Sequence, residues 1–185
     1  MKYIYCFGDS ITNGARNEYF KDFTFELNYH FRNKNVLFLK DSVNGETTSE
    51  ILTRLIKLIV KSEIYCVIFI GGTNDTKIPI PIDEFKKNFE TLISICKKFK
   101  IKLITSTLPK IYSGLPCYSK NNGNKFIIKY NNLIKSISKK NKINYIDLYN
   151  IPSGYMIDGI HSNNNGCKYI AHKILKVLSK NEYSI

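Results

Sequence analysis

The chain has no apolar run long enough to span a bilayer, and Ile64–Ile70 is only strand-sized. Too few apolar residues precede Gly8 to form the hydrophobic region of a secretory signal peptide. No two of the five cysteines (Cys6, Cys66, Cys96, Cys117, Cys167) are closely spaced, and one would be left over from any pairing. This argues against a disulfide framework and for reduced thiols inside a cell, hence a cytoplasmic protein. No Cys/His spacing resembles a zinc site, so no metal is expected. There is no G-x-x-x-x-G-K-[ST] phosphate loop, which ranks phosphoryl transfer last among the functions considered. Repeats, low-complexity linkers and internal boundaries are also missing. A single domain over residues 1–185 is therefore expected, large enough to bury a core without staples.

Acidic residues are scarce: 15 Asp and Glu against 28 Lys and Arg leave a net charge of +13. Such an excess on one face would attract nucleic acid, anionic lipid or an acidic substrate. The lysines, however, are scattered over the polar faces of predicted helices, as at Lys86-Lys87, Lys97-Lys98 and Lys139-Lys140. Abundant Lys, Asn and Ile also fit a compositional bias shared by a whole proteome. A solvated basic surface is the favoured reading, and no nucleic-acid partner is expected.

What is present is an alternation of strands and helices. Tyr3–Phe7 is a buried strand that stops at Gly8-Asp9-Ser10. A helix over Asp22–Phe31 is followed by a strand at Val36–Leu39, then a helix from Thr47 or Thr48 to about Val60. Ile64–Ile70 is apolar throughout and reads as a central strand ending at Gly71-Gly72-Thr73-Asn74-Asp75. Asp83 is the expected N-cap of the next helix. Lys102–Thr107 and Ile143–Leu148 are the fourth and fifth strands, with helices at Lys125–Lys140 and Asn165–Ser179. This order predicts an α/β fold with a parallel sheet and helices on both faces. Leu108–Asn124 is the longest irregular stretch, the kind of segment that serves as a binding loop or lid.

Polar loops at the strand ends, and one before the last helix, each offer part of one apparatus. Gly8 permits a sharp turn that lifts Ser10 out of the sheet as a candidate nucleophile. Serine needs a base to take its proton as it attacks, a role for His161. Asp158, three residues earlier, would hold the other ring nitrogen and fix the tautomer. The N–H groups of Ser10 and Gly45 and the side-chain amide of Asn74 would form an oxyanion hole. Taken singly, each is equally an ordinary turn or cap: Asn favours turns, and His161 could merely cap a helix. Their joint occurrence, in this order, is the argument for function.

These segments resemble the SGNH, or GDSL, hydrolase family. The first block matches Phe7-Gly8-Asp9-Ser10-Ile11-Thr12-Asn13-Gly14, with Ile11 where Leu is usual. The second matches Asn44-Gly45-Glu46-Thr47-Thr48, the third Gly71-Gly72-Thr73-Asn74-Asp75, and the last Asp158-Gly159-Ile160-His161. Asn163 and Gly166 echo the segment that follows the family's histidine. The resemblance covers nearly the whole chain. It implies a three-layer α/β/α, flavodoxin-like fold with a five-stranded parallel sheet. It also implies hydrolysis of carboxylic esters through an acyl-serine, without metal or cofactor. The expected substrate is a small-molecule, lipid or glycan ester. Asp9, Tyr112, Leu115 and Tyr118 are the candidate substrate-binding residues, the last three from the loop over Leu108–Asn124. Acyl transfer on the same scaffold, or an anionic-surface binding protein, is the alternative.

Overall fold

The computed structural model describes residues 1–17, 21–112, 114–119, 122–180, 183 and 185. Its centre is a five-stranded, wholly parallel sheet in the order β2-β1-β3-β4-β5. The strands are β1 (Lys2–Gly8), β2 (Val36–Ser42), β3 (Cys66–Ile70), β4 (Lys102–Ser106) and β5 (Asn144–Ile146). Helices α1 (Ser10–Asn13), α2 (Phe23–His30), α3 (Thr48–Ile59), α4 (Ile82–Lys98), α5 (Pro116–Ser119), α6 (Gly123–Lys140) and α7 (Asn164–Leu178) connect them.

The sheet's two faces bury separate cores, as alternate side chains of a strand must. Ile4 and Cys6 of β1 join Leu27 of α2 and Ile170 and Ile174 of α7 on one face. Phe7 joins Leu55 of α3, Phe89 of α4 and Ile134 of α6 on the other. β3 is buried along its full length, which is why its sequence is apolar without alternation. The result is the expected three-layer α/β/α fold.

The strand order reverses direction at β1. The chain leaves β1 for β2 on one side and returns to β3 on the other. A crevice opens at such a switch point, beyond the carboxyl ends of the strands. The Gly8 and Ile70 ends of β1 and β3 lie side by side there.

Several boundaries differ from the sequence expectation for physical reasons. Pro81, not Asp83, is the residue that caps α4; its fixed extended geometry precedes the first turn, and Asp83 and Glu84 sit within that turn. β2 runs on to Ser42, because β1 keeps pairing with it until Gly8 meets Ser42. β5 ends at Ile146 because Asp147 turns aside to accept from Thr107 Oγ1 at 2.8 Å. The irregular stretch after β4 contains α5, and α6 begins at Gly123.

Candidate active site

The turn after β1 is set by close packing. A Cβ on Gly8 would lie 2.1 Å from the carbonyl oxygen of Ile70 and 2.0 Å from Thr12 Oγ1, so only glycine fits. Thr12 Oγ1 donates to that same Ile70 oxygen at 3.0 Å and clamps β1 to β3. Asp9 caps α1 by accepting from the N–H of Ile11 at 3.0 Å, which leaves Ser10 as the first residue of the helix.

The histidine arrives on a tight hairpin just before α7. Met156 and Ser162 form an antiparallel bridge, and the Ile157 N–H donates to the His161 oxygen at 2.7 Å. Inside this hairpin, Asp158 Oδ1 accepts from the N–H groups of Ile160 and His161 at 3.1 and 2.9 Å. Its other oxygen lies 2.8 Å from His161 Nδ1, and His161 Nε2 lies 3.0 Å from Ser10 Oγ. Burial raises the Asp158 pKa, but the His161 N–H, the His161 ring and the Ile160 N–H outweigh it and hold the carboxyl below its usual range. The guanidinium of Arg16 also reaches Asp158 Oδ2, at 2.9 Å. Asn163 caps α7 with its side-chain oxygen and donates to the Gly154 oxygen at 2.9 Å, fastening the hairpin to the helix.

Gly45 sits at φ 86°, in the left-handed region, in the turn after β2. Asn74 opens a single 3-10 turn after β3. Its Nδ2 donates to the main-chain oxygen of Glu46 at 2.9 Å and lies 3.4 Å from Asp9 Oδ2. Ser10, Gly45, Asn74 and His161 all line one cleft of about 790 Å³ at the switch point. Of the candidate substrate-binding residues, Leu115 and Tyr118 line it as well. The Tyr118 hydroxyl lies 3.5 Å from Asn74 Oδ1.

Tyr112 and Asp9 are not brought to the cleft wall. Tyr112 instead braces the histidine hairpin: its N–H donates to the Gly159 oxygen at 2.9 Å and its hydroxyl to the Ile151 oxygen at 2.9 Å. Asp9 lies beneath the floor, only 1% exposed. Burial, with Asp75 nearby, pushes its pKa up to about 7. Burial likewise raises Asp75 to about 6, while its oxygens accept from the Thr48 N–H and hydroxyl and hold the start of α3.

Over residues 6–169 the chain matches the model of the GDSL-like Lipase/Acylhydrolase family. The chain belongs to that family. As a GDSL-like acylhydrolase it is a carboxylic ester hydrolase. No curated protein matches it. Among solved structures, a lipase/acylhydrolase from Enterococcus faecalis superposes with a TM-score of 0.83 at 24% identity, covering 96% of this chain and 95% of that one. An acetyl xylan esterase gives 0.80 at 20% identity, with coverage of 95% and 99%. The esterase EstA from Pseudoalteromonas sp., in a structure inhibited by monoethylphosphonate, gives 0.79 at 16%, with coverage of 95% and 96%. These likenesses establish the acylhydrolase fold.

Two parts of the GDSL-like site carried no sequence signal. Arg54 on α3 donates to Glu46 and to the Gly8 oxygen, the latter at 3.1 Å, from a position 46 residues away. Arg16 reaches Asp158 across an even longer stretch of chain. Asp9, expected to bind substrate, is instead the N-cap of α1; its signal was its place directly before a short helical segment, where Asp is a favoured cap.

Proposed function

We propose that the chain is a serine esterase working through an acyl-serine, with Ser10 as nucleophile, His161 as base and Asp158 as its orienting carboxylate. The observation that carries this is the continuous line Ser10 Oγ to His161 Nε2 at 3.0 Å and His161 Nδ1 to Asp158 at 2.8 Å, opening into the cleft. Ser10 Oγ forms its bond to the ester carbonyl carbon as its proton passes to Nε2. The charge that develops on the carbonyl oxygen is met by the N–H groups of Ser10 and Gly45 and by the amide of Asn74. Collapse breaks the bond to the alcohol oxygen, which leaves with the proton from Nε2. Water then repeats the sequence, yielding the carboxylic acid and free Ser10.

The cleft walls favour a short acyl group on a polar alcohol. Asn13, Arg16, Asn17, Lys40, Asn44 and Lys77 line it, alongside an apolar surface of similar extent from Ala15, Leu115, Tyr118 and Ile160 that is enough to seat a short acyl group. An O-acetylated carbohydrate suits such walls better than a long-chain lipid, and the acetyl xylan esterase among the structural relatives supports that class. We place the enzyme in the cytoplasm, on the support of free thiols at Cys6, Cys66, Cys96 and Cys167, all buried.

The test is a p-nitrophenyl ester series from acetate to long chain, together with acetylated oligosaccharides. Each is assayed with the wild type and Ser10→Ala. Acetate turnover that disappears in folded Ser10→Ala supports the reading. A preference for long chains would overturn the substrate class, and unchanged turnover in Ser10→Ala would overturn the nucleophile.

A further inference from the structure

We propose that the end of the molecule opposite the cleft docks on a bilayer surface carrying anionic headgroups. In a parallel sheet with antiparallel crossover helices, strand starts and helix ends gather at one end of the fold, while the cleft sits at the other. The basic excess collects at that remote end. Lys97 and Lys98 lie exposed in the last turn of α4 with Lys100 just beyond it, and Lys139 and Lys140 lie exposed in the last turn of α6 with Lys142 just beyond it. Across residues 30–36, 59–66, 97–102 and 139–144, Glu63 is the single carboxylate.

Helix-end lysines offset the partial negative charge of the last carbonyls, which accounts for Lys97, Lys98, Lys139 and Lys140 individually. It does not account for Lys100 and Lys142. Both stand at φ 55°, just past a helix C-terminus, the position where glycine is the favoured residue. A strained conformation held by a charged side chain at two equivalent turns points to a use for that charge.

The same end also exposes apolar side chains. Val60 is 68% exposed, Met1 66% and Phe99 44%. Met1 and Phe99, with Ile59, Ile64 and Ile101, border a hollow of about 400 Å³, and Val60 follows Ile59. Lys98 lies over the ring of Phe99 at 5.7 Å. Lys2 and Glu63 also line the hollow, and Lys61, Lys98 and Lys100 adjoin its residues in sequence. Apolar groups beside an excess of lysines match an interface with acyl chains beneath anionic headgroups. Against a nucleic acid, Val60 and Met1 would gain little, and Arg32 is the one arginine in those segments. Docked this way, the cleft faces the aqueous phase.

The experiment is co-sedimentation of the intact protein with vesicles of phosphatidylcholine alone or with one-third phosphatidylglycerol, at low and high salt. It includes a Lys100→Gly, Lys142→Gly double variant, in which glycine relieves the backbone strain while removing two charges. The proposal expects binding to the anionic vesicles alone, weakened by salt. It expects the double variant to bind roughly 25-fold more weakly, at about fivefold per lysine. Its melting temperature should be equal or higher, and its hydrolysis of a soluble ester unchanged. Val60→Ser should weaken binding further without altering the salt dependence. No binding to anionic vesicles, undiminished binding by the double variant, or tighter binding to an RNA oligonucleotide than to the vesicles would each overturn it.

Discussion

The guanidinium of Arg54 holds the carboxylate of Glu46 with Nε at 2.8 Å and Nη2 at 2.6 Å from the same oxygen. It also donates to the Gly8 oxygen at 3.1 Å and pairs with Asp41. One side chain thus joins the end of β1, the end of β2 and the loop that presents Gly45. The main-chain oxygen of Glu46 in turn anchors Asn74. Replacing Arg54 by Met should cost about 1.5–3 kcal/mol of stability, the range for hydrogen bonds to charged groups. It should also lower kcat roughly tenfold with little change in KM, because the donors would be misplaced where charge develops. Urea unfolding and steady-state kinetics check both effects, and Arg54→Lys should recover part of kcat.

Asn74→Ala should lower kcat by roughly 10²–10³, the usual cost of one oxyanion donor. KM for a small acetate should stay nearly constant, since the interaction strengthens only in the transition state. An equal rise in KM with kcat preserved would instead make Asn74 a ground-state contact.

Asp158→Asn should keep the hairpin, because an amide oxygen can still accept from Ile160 and His161. It would, however, favour the wrong ring tautomer and remove the charge that stabilises an imidazolium. A fall in kcat of up to roughly 10⁴ is expected, with KM much less affected. Arg16→Gln should cost far less, since its side chain is 61% exposed and water can replace it.

Two buried carboxyls make stability depend on pH in an unusual sense. Asp9 and Asp75 are raised to about 7 and about 6, chiefly by burial. The folded chain therefore keeps protons that the unfolded chain releases near its ordinary carboxylate pKa. Their contribution is full below that ordinary value and is lost as pH rises through 6 to 7. The melting temperature should fall by about 5–10 °C between pH 5 and pH 8 from this source. Asp9→Asn keeps a capping oxygen and should flatten the slope, which thermal scans across that range would show.

The strand–helix order, the parallel sheet and the four family segments were legible because they depend on local sequence. Apolar runs mark strands, and turn residues at their ends mark the loops. Contacts made by long side chains across the fold were not legible. Arg54 looked like one more polar residue on α3, and nothing in its neighbourhood tells of Gly8 or Asp41. Tyr112 read as a pocket residue because its loop is long and aromatic; its hydroxyl finds the Ile151 oxygen, which only the packed hairpin brings within reach. The scattered lysines looked evenly spread along the chain. Only the antiparallel return of the helices brings those at the ends of α4 and α6 together at one end.

Ser10 and His161 stand 151 residues apart. The hairpin that bears His161 is fastened to α7, and α7 packs on α2 and on the core that also holds β1. On the proposed roles of Ser10 and His161, turnover should therefore report whether the last helix is seated. If that terminal unit comes away while the sheet stays paired, the serine remains in place with no proton acceptor, and hydrolysis ceases ahead of any loss of circular dichroism.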